Sequence, residues 1–203
     1  LKAKKLYSIF SYTLPHSVFV NDDDMVELPT IEVYYKKFNG GKKRDLLILT
    51  GDVQPTDEVS SYEFCDAVIE MAKKFKTKEM ITTGGIGLQE IPEKPRVFIT
   101  GNSKKMIAKY SKNAQIETKI NGDVGPIVGV SGVLIGLGRM RQMNGVALLA
   151  ETFGHPMYLG VKGAHEILRV LNLKLALRLN LNKLSKEIAT LEKETKKRTK
   201  EIN

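Results

Sequence analysis

The stretch from Gly125 to Gly154 constrains the fold more than any other part of the chain. Val146 to Ala150 is a continuous apolar run of strand length with no polar alternation. Strands that read this way are buried on both faces, and they occur mostly in parallel sheets covered by helices. Just upstream, Val128 to Gly138 is apolar with interleaved glycines and predicts a buried helix, with Met140 to Asn144 as a short polar exit. Gly129, Gly132 and Gly136 fall at spacings of three and four, on one helix face. Each such glycine costs about 1 kcal/mol of helix propensity against alanine. A close approach of the helix backbone to a neighbouring element is the simplest compensation.

The remaining elements follow in order. Leu6 to Ser11 and Ser17 to Val20 are short β-prone runs around Leu14-Pro15-His16, and Asn21 to Asp24 is an acidic turn. Ile31 to Tyr35 reads as a strand, Asn39-Gly40-Gly41 as a turn, and Leu46 to Leu49 as a second buried strand ending in Thr50-Gly51-Asp52. Thr56 or Asp57 can cap a helix running to about Phe75, with Phe64, Cys65, Val68, Ile69, Ala72 and Phe75 inside. Met80 to Thr83 and Val97 to Thr100 are further strands. Asn102 or Ser103 starts a helix to about Tyr110, Ile116 to Ile120 is a short strand, and Gly122-Asp123 a turn. A last helix is expected from near Val161 to Leu173. Strand and helix alternate, which predicts an α/β fold: a mainly parallel central sheet flanked by helices, with a β-rich excursion near the N-terminus and a C-terminal helix.

At 203 residues and 42% hydrophobic content, one domain spanning residues 1–175 can bury a substantial core. Residues 176–203 read as a helical extension. Within it Leu177, Leu181, Leu184, Ile188 and Leu191 step by four, three, four and three, a coiled-coil-like seam that packs on the body or on a second subunit. No apolar run is long enough for a transmembrane helix, and no secretory h-region follows Leu1 to Lys5. The single cysteine, Cys65, forbids an internal disulfide and fits a reducing compartment, so a cytoplasmic location is expected. The net charge of +9 is spread along the chain, which favours a lysine-rich surface over a nucleic-acid site.

Polar and glycine residues close three strands: Thr50-Gly51-Asp52, Thr82 to Gly87, and Glu151-Thr152. Ligands of open parallel sheets bind outside the carboxyl ends of strands. Asp52 and Glu151 are therefore candidates for paired acid–base carboxylates, or else each caps a following loop or helix. Gly84, Gly85 and Gly87, with Glu151 and Thr152, form a candidate ligand loop, although no Walker lysine follows. Arg139 and Arg141 can meet a phosphate or acidic partner, or simply complement the end of their helix. His16, His155 and His165 lack metal-ligand spacing, so no metal site or cofactor is expected. Cys65 reads as a small buried hydrophobe, and no catalytic set is complete.

Taken together, Asp45 to Asp52 with Gln54-Pro55, Thr83 to Gly87, Lys94-Pro95-Arg96-Val97, Gly125 to Gly129, Arg139-Met140-Arg141, Leu148 to Thr152 and Gly154-His155-Pro156 resemble the archaeal proteasome assembly chaperone family. The resemblance runs from Leu6 to Leu173. It implies a three-layer fold related to purine nucleoside phosphorylases and peptidyl hydrolases, without an established catalytic site, and proteasome α subunits as partners. Two departures stand out: the strand and glycine-rich loop that usually precede the segment matching Leu6 are missing here, and Glu201-Ile202-Asn203 lacks the tyrosine of a docking tail. The expectation is a non-enzymatic, homo-oligomeric protein-binding subunit that uses Arg139, Arg141 and the leucine seam. The alternative is a phosphorylase- or hydrolase-like enzyme acting on a nucleoside or small phosphorylated ligand at the strand ends.

Overall fold

The structure is a computed structural model, and it describes residues 1–38, 44–120, 125–155, 158–182, 184, 185 and 188. The expected turns at Asn39-Gly40-Gly41 and Gly122-Asp123 lie outside these residues, as does Leu191. In chain order the elements are β1 (Lys4–Ile9), β2 (Phe19–Val20), β3 (Val26–Glu27), β4 (Ile31–Lys36), β5 (Leu46–Gly51), α1 (Glu58–Lys74), β6 (Glu79–Leu88), β7 (Val97–Gly101), α2 (Lys104–Ser111), α3 (Val130–Met140), β8 (Asn144–Phe153) and α4 (Val161–Leu175). The fold is mixed α/β, and the chain divides into two compact units. One comprises Leu1–Glu79 and Val128–Met143, the other Met80–Ile127 and Asn144–Asn203.

In the first unit, β4 lies between β1 and β5, and both pairs are antiparallel. Ile31 and Val33 of β4 are buried, two residues apart, as strand alternation requires. α1 starts at Asp57, whose carboxylate accepts the Ser60 amide at 2.9 Å. It buries Cys65, Val68, Ile69 and Ala72 at helical spacing, and α3 adds Leu134 and Ile135. Phe75 departs from the expected inner face: it sits beyond the helix end, 39% exposed, with its ring edge-on to Tyr7. β5 is half-buried rather than fully buried, because among the described pairs it has β4 on one side only.

Gly129 and Gly136, two of the glycines the spacing singles out, stand in different surroundings. Gly129 precedes α3 with φ +89°, a conformation that side chains resist. A Cβ there would come within 2.8 Å of Gln54 Oε1, the atom that accepts the Val130 amide. At Gly136 a Cβ would meet nothing within 4 Å, so no close approach requires glycine at that position.

The β2–β3 hairpin stands apart as a two-stranded antiparallel sheet, Phe19 opposite Glu27 and Val20 opposite Val26. Asn21 shapes its turn by accepting the Asp23 and Met25 amides, both at 3.0 Å.

In the second unit β8 is the central strand, between β6 and β7. Val146 to Ala150 is buried throughout, as the apolar run predicts. Val146, Leu148 and Ala150 pack with Met106 and Tyr110 of α2 and Ile167 and Val170 of α4. The β7/β8 pair is nevertheless antiparallel, from Val97 opposite Ala150 to Gly101 opposite Val146. An apolar run reports that both faces are covered; the direction of pairing leaves no mark on it. Along β6, Gly85 lies beside Thr152 and Gly87 beside Gly154, positions that rise together on both strands as in a parallel pair. The expected strand at Ile116 to Ile120 reduces to one bridge, Glu117 to Phe98.

The expected leucine seam does not run as one helix. α4 ends at Leu175, and Ala176 and Arg178 both adopt left-handed backbone, φ 50° and 59°. Leu177 is buried in the connection, its amide donating to Asn172 O. Leu181, Leu184 and Ile188 belong to a separate helical segment and are half-buried. Ser185 of that segment lies 3.1 Å from Nε2 of His165 on α4.

Candidate functional site

β8 delivers its last residues to two environments, because neighbouring side chains on a strand point to opposite faces. Glu151 is 6% exposed and is gripped by Arg96, whose Nε and Nη2 donate to Oε1 at 2.8 and 2.6 Å and whose backbone amide donates to Oε2 at 2.8 Å. Burial pushes the Glu151 carboxyl up, and the Arg96 side-chain and backbone hydrogen bonds more than reverse it, so the group ends below its ordinary value. Such a carboxylate is a weak proton acceptor and a strong structural clamp. The Arg96 guanidinium also lies 5.0 Å from the centre of the Phe98 ring.

Thr152 faces the other way. Its side chain lies against Gly85 and Gly160, where added Cβ atoms would come within 2.9 Å of Cγ2 and 2.5 Å of Oγ1. Its Oγ1 is buried without a hydrogen-bond partner among the described residues. Gly84, Gly85 and Gly87 lie inside β6 and not in a loop beyond it. Their purpose in the strand is space: a Cβ at Gly87 would sit 3.2 Å from the Gly154 backbone, and one at Gly84 3.0 Å from Leu149. At the end of β8, Phe153 stacks on His155 and meets Tyr158 edge-on, with ring centres 5.7 Å apart in both pairs.

Arg96 also lines a cleft of about 640 Å³ in this unit. Glu93 to Val97 and Ala114 to Glu117 form one side, and Lys162, His165, Glu166 and Arg169 of α4 another, with Ser185 and Ile188 closing it. Arg169 pairs with Glu166 at 2.7 Å, and His165 Nδ1 lies 3.3 Å from the same carboxylate. Pro95, Val97, Ile116 and Ile188 give the cleft an apolar floor between charges of both signs, a lining suited to a peptide or a side chain.

Asp52 belongs to the first unit. Its Oδ2 accepts the Thr30 amide and hydroxyl, both at 2.8 Å, and the amide bond above all holds its pKa below the ordinary range. Arg141, at the end of α3, forms a two-pronged pair with Asp66 of α1, both contacts at 3.0 Å. Arg139 and Met140 are exposed beside it. Cys65 is fully buried, and burial followed by the nearby Asp66 charge pushes its thiol up to about 11.

The structure thus brings Gly84, Gly85, Gly87, Glu151 and Thr152 onto adjacent strands of one unit, with Asp52, Arg139 and Arg141 in the other. The sequence reading missed Arg96 as the partner of Glu151, the aromatic group at Phe153, His155 and Tyr158, and the role of Gln54. Lys94-Pro95-Arg96-Val97 carried the only signal for the first, a lone arginine immediately before a buried strand.

Comparison with known proteins gives a consistent result. The profile of the PAC2 family matches residues 1–199. Among solved structures, Pyrococcus furiosus PbaB, described as an archaeal proteasome activator, superposes with a TM-score of 0.86 at 31% identity, covering 97% of this chain and 82% of that one. Pyrococcus furiosus PbaA, described as an archaeal homolog of proteasome-assembly chaperone, superposes with a TM-score of 0.73 at 20% identity, covering 98% and 77%. An uncharacterised protein of Methanocaldococcus jannaschii is 25% identical over 154 residues, 76% of this chain. The match spans 57% of that relative's own length.

Proposed function

The chain belongs to the PAC2 family, and on that premise we propose that it is a non-enzymatic protein-binding subunit that assembles with itself and docks on proteasome α subunits in the cytoplasm. One observation carries the reading: likeness to a proteasome activator at 31% identity across nearly the whole chain. The exposed end of α3, with Arg139 and Met140, and the segment containing Leu181, Leu184 and Ile188 are the contact surfaces this reading assigns. The fold is read as the three-layer, phosphorylase-like arrangement. The rising register of β6 and β8 supports the parallel part of that reading, and α2 and α4, both packed on the Val146, Leu148 and Ala150 face of β8, supply one of its helical layers.

Native mass spectrometry of the protein mixed with recombinant archaeal proteasome α subunits tests the proposal. A complex of defined stoichiometry, weakened by Arg139→Glu, is the expected result. The absence of any complex, with a native-length chain that is folded by circular dichroism, overturns it.

A further inference from the structure

The segment Phe10–Leu28 combines two properties that a free surface seldom keeps together. It is apolar and exposed: Tyr12 is 97% accessible, Val26 68%, Val20 65% and Met25 63%, with Phe10, Val18, Phe19 and Leu28 close behind. It is also acidic, with Asp22, Asp23, Asp24 and Glu27 and no lysine or arginine. Neither face of the β2–β3 hairpin is covered, since Phe19 and Val20 are neighbours on one strand and both are exposed. A two-stranded hairpin in water is marginally stable by itself, and a contiguous exposed apolar patch marks an interaction site.

Charge identifies the occupant. The segment carries −4 in a chain of net +9, which leaves +13 on the remainder. We propose that this hairpin arm docks on the basic surface of a second copy of the chain. Its apolar residues then become buried while Asp22, Asp23 and Asp24 at its turn meet lysines and arginines of the neighbour. Like charge disfavours a contact between two arms and favours arm to body; exchanged reciprocally, that contact closes a two-fold dimer. The inference rests on the self-assembly half of the proposed function and gives it a surface.

Sedimentation velocity across the micromolar range, at low and high salt, tests it on three proteins. The wild type should assemble, and more weakly at high salt. Val20→Ser/Val26→Ser, which removes the cross-strand apolar pair, and Asp22→Lys/Asp23→Lys, which reverses the turn charge, should each weaken assembly by at least about tenfold. All four positions lie on the uncovered hairpin, and circular dichroism checks that the body stays folded. A wild type that remains monomeric overturns both this inference and the self-assembly reading. Variants that assemble with wild-type affinity overturn the inference alone.

Discussion

Gln54 stands where a side chain on Gly129 would have to go. The Gln54 Oε1 accepts the Val130 amide at 3.0 Å, and a Cβ on Gly129 would lie 2.8 Å from that oxygen. One side chain thereby caps α3 and fixes the residue before it as glycine. Gly129→Ala is expected to cost about 2 kcal/mol from left-handed strain plus the clash, and Gln54→Ala about 1 kcal/mol from the lost cap. In the double variant the clash is gone, so its loss should fall short of the sum, as urea unfolding of the four proteins will record.

Arg96→Met leaves the Glu151 carboxylate buried without its cation and should cost about 3 kcal/mol at neutral pH. The sign of the pH dependence follows from the direction of the shift. Glu151 titrates below its ordinary 4.5 in the folded protein, so its stabilisation is fully present above 4.5 and is lost as pH falls through the lower folded value. In the variant the orphaned carboxyl takes up its proton at higher pH. The gap between the two proteins should therefore narrow as the solution is acidified, in thermal unfolding followed from neutral to about pH 4.

Cys65 should resist thiol reagents in the native state. With its pKa raised to about 11 and its side chain fully buried, about a thousandth of the thiol is ionised at pH 8. Labelling should be slow in buffer and complete within the dead time in denaturant. Rapid modification of the native protein would contradict the packing of α1.

Two glycine-to-alanine substitutions should move stability in opposite directions. Gly136→Ala places a methyl in open space within a helix and should stabilise by about 0.8 kcal/mol. Gly85→Ala places one 2.9 Å from Thr152 Cγ2 in β6 and should destabilise by about 1–3 kcal/mol. Melting temperatures measured side by side decide both.

These contrasts explain what the sequence could convey. Burial of β8, the inner face of α1 and its start at Asp57 were legible because apolar spacing and capping are local signals. The same glycine symbol stood for strand packing at Gly85, a positive φ at Gly129 and nothing steric at Gly136; only the neighbours separate these cases. The grip of Arg96 on Glu151 joins residues 55 positions apart, and neither carries a mark of the other. The leucine seam had the right spacing, but left-handed backbone at Arg178 separates Leu177 from the helical positions Leu181, Leu184 and Ile188, and arginine gives no warning of it.

The hairpin makes the molecule electrically uneven. An isoelectric point near 9.5 is an average over a basic body and an arm of opposite sign. At neutral pH the unassembled chain should adhere to a cation exchanger through its body while still presenting an anionic apolar strip to the liquid. A bead coated with polylysine would then capture a protein whose bulk charge predicts repulsion. Salt would act on the two ends of this behaviour together: it weakens the general repulsion between like-charged copies and the specific attraction of arm for body, so colloidal stability is set by which of the two is screened first.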